Sequence, residues 1–228
     1  MSHARPLAAD RVAALVTCHV EPPDPAFLAA VRERVGHVLV VDDGMPRPRG
    51  VALDRDVAAI GGEVLHLGEN RGKGHALAAG LAILVARAEP VEAVVVLDGD
   101  GQHRAEWIPS LVEAGQGADL VIGDRSAEHA RVPLERRLAN RMHAAVMSAM
   151  TGHRVPDSQC GMRLLSGRAL RGEPFPPGRY ESETLHLKRC LDRGVSVTWV
   201  PIPAVYEDEV SSFRRMRDSL RVTMALLS

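Results

Sequence analysis

The stretch VVVLDGDGQH, Val94 to His103, carries four apolar residues straight into Asp98, Gly99 and Asp100. A short valine-rich run that stops on Asp98 and Gly99 reads as a buried strand. Residues two apart on a strand share a face, so Asp98 and Asp100 converge if extended geometry persists past Leu97. Gly99 between them lets the backbone turn. In open parallel sheets, ligands sit beyond the carboxyl ends of the strands, where this pair falls. Hard carboxylate oxygens suit Mg²⁺ or Mn²⁺, with a substrate phosphate completing the shell. Gln102 adds an amide oxygen and His103 an imidazole. Taken alone, the same pattern is equally a solvated turn.

Strand and helix patterns alternate on either side of this run. Strands are expected at Val12–Cys18, Val38–Val41, Glu63–Leu67, Leu120–Ile122 and Val195–Val200. Helices are expected at Pro25–Arg34, Leu53–Ile60, Ala105–Ala114, Leu134–Met150 and Tyr180–Leu191. A proline-rich loop precedes the second of these. GENRGKGHALAAGLAILVARA opens with glycines and continues as an alanine-leucine helix. Such alternation implies right-handed βαβ crossovers and a mainly parallel α/β sheet. In Leu134–Met150, the residues Leu134, Leu138, Met142, Ala145 and Met150 fall at helical spacing and predict the buried face. The closing SSFRRMRDSLRVTMALLS repeats Phe213, Met216, Leu220 and Met224 on one face, with arginines elsewhere.

Hydrophobic residues make up 46% of the 228, enough for a sizeable core in one domain. Net charge is -1, which implies no bulk attraction to nucleic acid. Cys18, Cys160 and Cys190 are widely spaced and form no metal or disulfide pattern, so a reducing cytosol is expected. The N-terminal MSHARPLAAD lacks the apolar segment of a signal peptide. No apolar run reaches the roughly 18 residues of a spanning helix. These features predict a cytoplasmic protein, with peripheral contact at the inner face of the membrane through the basic, amphipathic C-terminal helix.

Further motifs accompany the carboxylate pair. VVDDG ends the second strand with Asp42 and Asp43. NRGKG, Asn70 to Gly74, precedes a helix and offers backbone N–H groups and Lys73 to an anion. It is neither a Walker A loop nor a dinucleotide fingerprint. GDRS and DSQCGMRL follow. In this order the motifs resemble family 2 glycosyltransferases of the GT-A fold, in their polyprenyl-phosphate (dolichyl-phosphate mannose synthase-like) branch. The resemblance runs from about Val12 to Val222.

It implies a GT-A fold, a Rossmann-like, mainly parallel twisted sheet with helices on both faces. One domain would span residues 1–228, with a nucleotide-sugar-binding half to about 123 and an acceptor-side half from 124. The donor would be a UDP- or GDP-sugar, the cofactor Mg²⁺ or Mn²⁺, and the acceptor a polyprenyl phosphate. Glu21 and Asp43 match positions that hold the nucleotide, and Lys73 would lie near it. Asp98 and Asp100 match the D-x-D motif for metal and donor, and Gln102 a third metal ligand. Arg125 matches a basic position beside the acceptor phosphate. Asp157, Gln159 and Arg163 match the later acceptor-side loop. Transfer would invert the anomeric carbon.

A hydroxyl acceptor would need a general base, for which Asp157 is the first candidate. A phosphate acceptor is already an anion, and Asp157 would then orient Arg163 or the loop. TCHVE, Thr17 to Glu21, departs from the family's P-x-Y-N-E, and Met45 stands where a serine is usual, leaving the base specificity open. Transfer to a soluble hydroxyl and a non-catalytic nucleotide-sugar-binding module stay open as alternatives. A sugar-nucleotide pyrophosphorylase is disfavoured, because its glycine-rich N-terminal loop is missing. Glu181 and Glu183, with Tyr180, read as the acidic first turn of a helix. Trp107 and Trp199 read as packing residues and Cys160 as a small buried hydrophobe.

Overall fold

The structure is a computed structural model that describes residues 7–89, 91–127, 134–179 and 181–204. Its strands are β1 (Val12–Cys18), β2 (His37–Asp42), β3 (Glu63–His66), β4 (Ala93–Asp98), β5 (Leu120–Asp124), β6 (Arg163–Ser166) and β7 (Val197–Pro201). They form one sheet in the order β3-β2-β1-β4-β6-β5-β7. β6 runs antiparallel to β4 and β5, and the remaining pairs are parallel. The mainly parallel α/β sheet is the one the alternating pattern predicts. Strands covered on both faces can be apolar throughout. Hence all seven residues of β1 are buried, as are Val94, Val95, Val96 and Leu97 of β4. Each valine or leucine among them contributes about 1.5–3 kcal/mol of burial.

The helices are α1 (Pro25–Arg32), α2 (Arg47–Ala59), α3 (Lys73–Val85), α4 (Ile108–Ala114), α5 (Leu134–Thr151), α6 (Gly167–Gly172) and α7 (Glu181–Asp192). Asp24 starts α1 by accepting hydrogen bonds from the Ala26 and Phe27 N–H groups, a cap worth about 1 kcal/mol. Two helices depart from expectation. α2 begins at Arg47, inside the stretch expected to be a loop, with Pro46 at its cap. A proline in the first helical turn lacks only an N–H that the turn does not use. A short 3₁₀ turn, Ala105–Trp107, precedes α4, and α6 had no sequence signal.

α5 corrects a third expectation. The stripe read as its buried face is largely outside: Leu138 is 58% exposed and Met142 51%. His143, Ala144 and Met147 are buried instead. The segment RMHAAVMSAM is apolar on nearly every side, so periodicity alone does not choose the inward face. Ser148 fixes it locally: its hydroxyl donates to the Ala144 carbonyl and accepts from the Val155 N–H. Among the described residues, no helix is long and apolar enough to cross a membrane. Tyr180 and the amphipathic segment around Phe213 to Met224 lie outside the described residues.

The strand order carries the functional consequence. β1, β2 and β3 step toward one edge, then β4 returns beside β1. With right-handed crossovers, the helix that makes this return, α3, lies on the opposite face from α1 and α2. The reversal opens a crevice at the carboxyl ends of β1 and β4. Thr17 and Asp98 are register partners at that point.

Candidate active site

Asp98 ends β4 at the mouth of this crevice. Its Oδ1 accepts a hydrogen bond from Thr17 Oγ1 at 3.3 Å and lies 2.6 Å from Lys73 Nζ. Its backbone N–H donates to His103 Nδ1 at 2.8 Å. Within the same turn, the Gln102 N–H donates to Asp100 Oδ1 at 3.0 Å. The DGDGQH stretch is therefore an internally bonded loop. Because Nδ1 accepts, the His103 ring carries its proton on Nε2 and is neutral. Burial drives its pKa down to about 4, outweighing the opposite pull of Asp98.

Lys73, the first residue of α3, bridges two carboxylates. Its Nζ is 2.6 Å from Asp98 Oδ1 and 3.0 Å from Glu183 Oε2. Burial alone would lower the lysine pKa, yet Asp98 and Glu183 hold it above its ordinary value. Burial would raise that of Asp98, yet the Lys73 ammonium, then His103, bring it down to about 2. Glu183 is buried and its Oε1 has no hydrogen-bond partner. Gly161 of the DSQCGMRL loop packs on this cluster. A β-carbon there would stand 2.8 Å from both Asp98 Oδ2 and Lys73 Nζ, so a side chain would displace one or the other.

The donor set at this loop is two carboxylates and an amide oxygen, from Asp98, Asp100 and Gln102. Among the described residues, no three His, Cys, Asp or Glu side chains gather closely enough to hold a metal by themselves. Hard oxygen donors in that number fit an Mg²⁺ or Mn²⁺ ion whose other positions are filled by water and a substrate phosphate. The fit is to a metal that arrives with its ligand.

The residues expected to hold a nucleotide sit at the adjoining strand ends. Asp43 is buried, and its carboxylate accepts the Arg71 and Gly72 N–H groups at 2.7 and 2.9 Å. It thus holds the glycine loop that leads into Lys73. Glu21 is exposed and paired at 2.9 Å with Arg49 of α2. His19, within the departing TCHVE, joins the two loops: Nδ1 meets the Asp43 carbonyl and Nε2 the Asn70 amide, both at 2.7 Å.

On the other side, Arg125 follows β5 and grips Asp157 with Nε at 2.8 Å and Nη2 at 3.2 Å. The Gln159 N–H also donates to Asp157 Oδ1 at 2.8 Å. Burial opposes its charge, but Arg125 and these amide bonds hold the Asp157 carboxyl below its usual range. Trp199 Nε1 donates to the Asp157 carbonyl, so this tryptophan does more than pack. Two residues read as acceptor-side have partners within the protein. Gln159 donates its amide to Thr184 Oγ1 at 2.9 Å. Arg163 is fully buried, donating to the Cys160 and Glu183 carbonyls, and so fastens the first turn of α7. Asp157 therefore pairs with Arg125, not Arg163.

Cys160 is buried, and burial pushes its thiol up to about 11, in keeping with the inert hydrophobe expected. Sequence reasoning missed Thr17 and the inward role of Glu183. The acidic first turn of α7 read as a dipole effect. What marks Glu183 is a distant lysine, which spacing along the chain does not reveal.

Comparison with known proteins bears on the family and the fold. A model of the family described as glycosyl transferase family 2 matches residues 16–172. An undecaprenyl-phosphate mannosyltransferase of Micrococcus luteus is 33% identical over 153 residues, covering 64% of this chain and 62% of that protein. A polyprenol monophosphomannose synthase of Mycolicibacterium smegmatis is 29% identical over 177 residues, covering 73% and 65%. The matched regions thus span less than two thirds of either relative. Among solved structures, glucosyl-3-phosphoglycerate synthase from Mycobacterium tuberculosis, in complex with Mn²⁺, UDP and phosphoglyceric acid, superposes with a TM-score of 0.71 at 20% identity. That match covers 95% of this chain and 77% of that one. At that identity the likeness concerns the fold, which is the expected GT-A arrangement.

Proposed function

The chain belongs to glycosyl transferase family 2, and from that premise we propose that it moves a sugar from a UDP- or GDP-sugar to a polyprenyl phosphate, with inversion. The observation that carries this reading is the convergence of Lys73, Asp98, His103, Gly161 and Glu183 at the reversal of strand order. Three separate sequence motifs and the first turn of α7 meet there, and a donor diphosphate needs what they offer.

Asp98, Asp100 and Gln102 would hold Mg²⁺ or Mn²⁺, which supplies Lewis-acid stabilisation to the departing diphosphate. Lys73 adds a fixed cation at the same place, already desolvated and oriented by Asp98 and Glu183. Asp43 keeps the loop that leads into Lys73 in place, and Glu21 with Arg49 borders the base.

Arg125 is the acceptor-side cation, and Asp157 presents it. A carboxylate this thoroughly hydrogen-bonded is a poor proton acceptor, because its bonds favour the charged form. That argues for an acceptor that is itself an anion, and so for a phosphate over a hydroxyl. One relative named above is an undecaprenyl-phosphate mannosyltransferase and the other a polyprenol monophosphomannose synthase, in line with this choice. Such an acceptor is reached at a bilayer surface.

The test is transfer itself. Purified protein is incubated with a panel of UDP- and GDP-sugars, Mg²⁺ or Mn²⁺, and a short polyprenyl phosphate in detergent, with products read by mass spectrometry. A glycosyl phosphate lipid is expected. Transfer only to soluble hydroxyl compounds would refute the acceptor; nucleotide binding without any transfer would leave a binding module.

A further inference from the structure

Asp42 and Asp43 stand side by side at the end of β2, only 3% and 5% exposed. Two buried carboxylates in sequence need separate compensation. Asp43 has the Arg71 and Gly72 N–H groups. Asp42 uses a different partner. Its Oδ1 accepts the Met45 N–H at 2.6 Å, closing the turn from 42 to 45. Its Oδ2 lies 2.7 Å from His66 Nδ1. On the far side of the ring, His66 Nε2 lies 2.8 Å from Asp54 Oδ1 of α2. An ionised carboxylate only accepts, so both ring nitrogens donate and the ring between them is an imidazolium.

We infer that His66 is a positioning residue of the donor site. Clamped by Asp42 and Asp54, its cation holds the turn from 42 to 45 and, through Asp43, the backbone amides that lead into Lys73. The inference rests on the donor-site reading above. The relay is short. His66 is the register partner of Asp42 across β2 and β3, and the Asp42 carbonyl takes the Leu67 N–H. Asp43 continues the turn, with its own N–H on the Cys18 carbonyl. From there one carboxylate reaches both amides of the glycine loop.

The groups facing the ring are Asp42 from β2 and Asp54 from α2, with Cys18 of β1 beyond Asp42. The Cys18 thiol is pushed up to about 12, by burial first and then by Asp42 and Asp43, so it stays uncharged. Among the described residues, His66 is the one cationic group within ion-pair distance of Asp42. The hydrogen bond to Asp42 raises its pKa, burial opposes, and the bond to Asp54 adds to the rise. A raised folded value means the clamp is fully present below the ordinary imidazole pKa. It is lost as pH climbs through the raised value.

The experiment is UDP and GDP binding by calorimetry, with Mn²⁺, from about pH 6 to 9. Wild type is compared with His66→Gln and with His66→Arg, which keeps the charge at every pH. The backbone ¹⁵N–¹H resonances of Arg71 and Gly72 are followed over the same range in nucleotide-free protein. His66→Gln should bind about tenfold more weakly at the acid end, the scale of losing an outer-shell partner. Its deficit should shrink toward the alkaline end, as wild type loses its imidazolium. His66→Arg should keep the acid-end affinity throughout. The Arg71 and Gly72 resonances should titrate with His66 in wild type and stay flat in both variants. A His66→Gln protein with wild-type affinity and pH profile overturns the inference, as do amide resonances indifferent to His66. If wild type binds neither nucleotide, the donor reading fails, and the amide titration still decides whether His66 positions the loop. Should His66→Gln not fold, the His66→Arg profile and the wild-type resonances carry the decision.

Discussion

Lys73 and Glu183, at the first turns of α3 and α7, are joined by a 3.0 Å ion pair, and Asp98 shares the same ammonium at 2.6 Å. One lysine thus neutralises two acids from opposite halves of the chain, Glu183 buried and Asp98 half-buried. Removing one partner of a buried pair leaves an uncompensated charge, which costs about 3–5 kcal/mol. Lys73→Met leaves two carboxylates facing each other, so destabilisation by about 3 kcal/mol is expected, the lower end because Asp98 is partly open. Urea unfolding at neutral pH measures it. Glu183→Gln keeps one pairing and should lose less.

The same cluster gives a pH dependence with a definite sign. Asp98 is held down to about 2 by Lys73 and His103 against the effect of burial. A depressed folded pKa contributes stability that is complete above the unfolded value of about 3.9. It is lost as pH falls from there toward 2. Wild type should therefore show an acid-side drop in melting temperature that Asp98→Asn lacks, with Asp98→Asn already less stable at neutral pH. Parallel acid limbs in the two proteins would refute the assignment.

Much of this arrangement is legible along the chain, and the limit has a physical cause. The valine runs of β1 and β4 announce themselves because a strand buried on both faces is apolar throughout. The D-x-D pair is visible because the run stops on it. Glu183 and His66 are invisible because their meaning lies in partners far away in sequence, and a lone acid or imidazole has no periodicity. α5 misled because alanine and methionine surround it, so the apolar stripe has no clear edge. The burial of Arg163 is equally hidden in the sequence, because the two carbonyls that hold it inside carry no side-chain signal.

Gly161 tests how tightly the DSQCGMRL loop is seated on Asp98 and Lys73. In Gly161→Ala the added methyl would sit 2.8 Å from Asp98 Oδ2 and Lys73 Nζ. A contact that close forces one of them to move, because protein interiors do not yield freely. The circular dichroism spectrum should match wild type, while Mn²⁺-dependent nucleotide binding falls at least about tenfold. Unchanged binding would mean that the loop shifts and leaves the pair undisturbed.

Asp157 divides the two acceptor chemistries. If it orients Arg125, Asp157→Asn weakens a bidentate pair and loosens the acceptor cation. KM for polyprenyl phosphate should then rise about tenfold or more, with the acid limb of the kcat profile unchanged. Arg125→Lys should mimic it, since a lysine cannot reproduce the fork. If Asp157 were a general base, kcat itself would fall about 10²–10⁴-fold and the pH limb of that base would vanish. Its low pKa and saturated oxygens predict the first outcome.

Asp100 separates metal-assisted donor binding from simple anion binding. The Lys73 ammonium attracts a diphosphate without any ion. A nucleotide should therefore bind weakly in the presence of a chelator and more tightly with Mn²⁺. The two carboxylates contribute unequally. Asp98 is already paired with Lys73, so its removal damages both the lysine and the metal site. Asp100 bonds the Gln102 N–H within the loop, and its loss bears chiefly on the metal. Asp100→Ala should consequently keep the chelator-level affinity and lose the Mn²⁺ increment. The result is measured as the ratio of UDP or GDP affinity with and without Mn²⁺ in each protein. An increment that survives Asp100→Ala would move the metal away from the D-x-D loop and leave Lys73 as the principal diphosphate ligand.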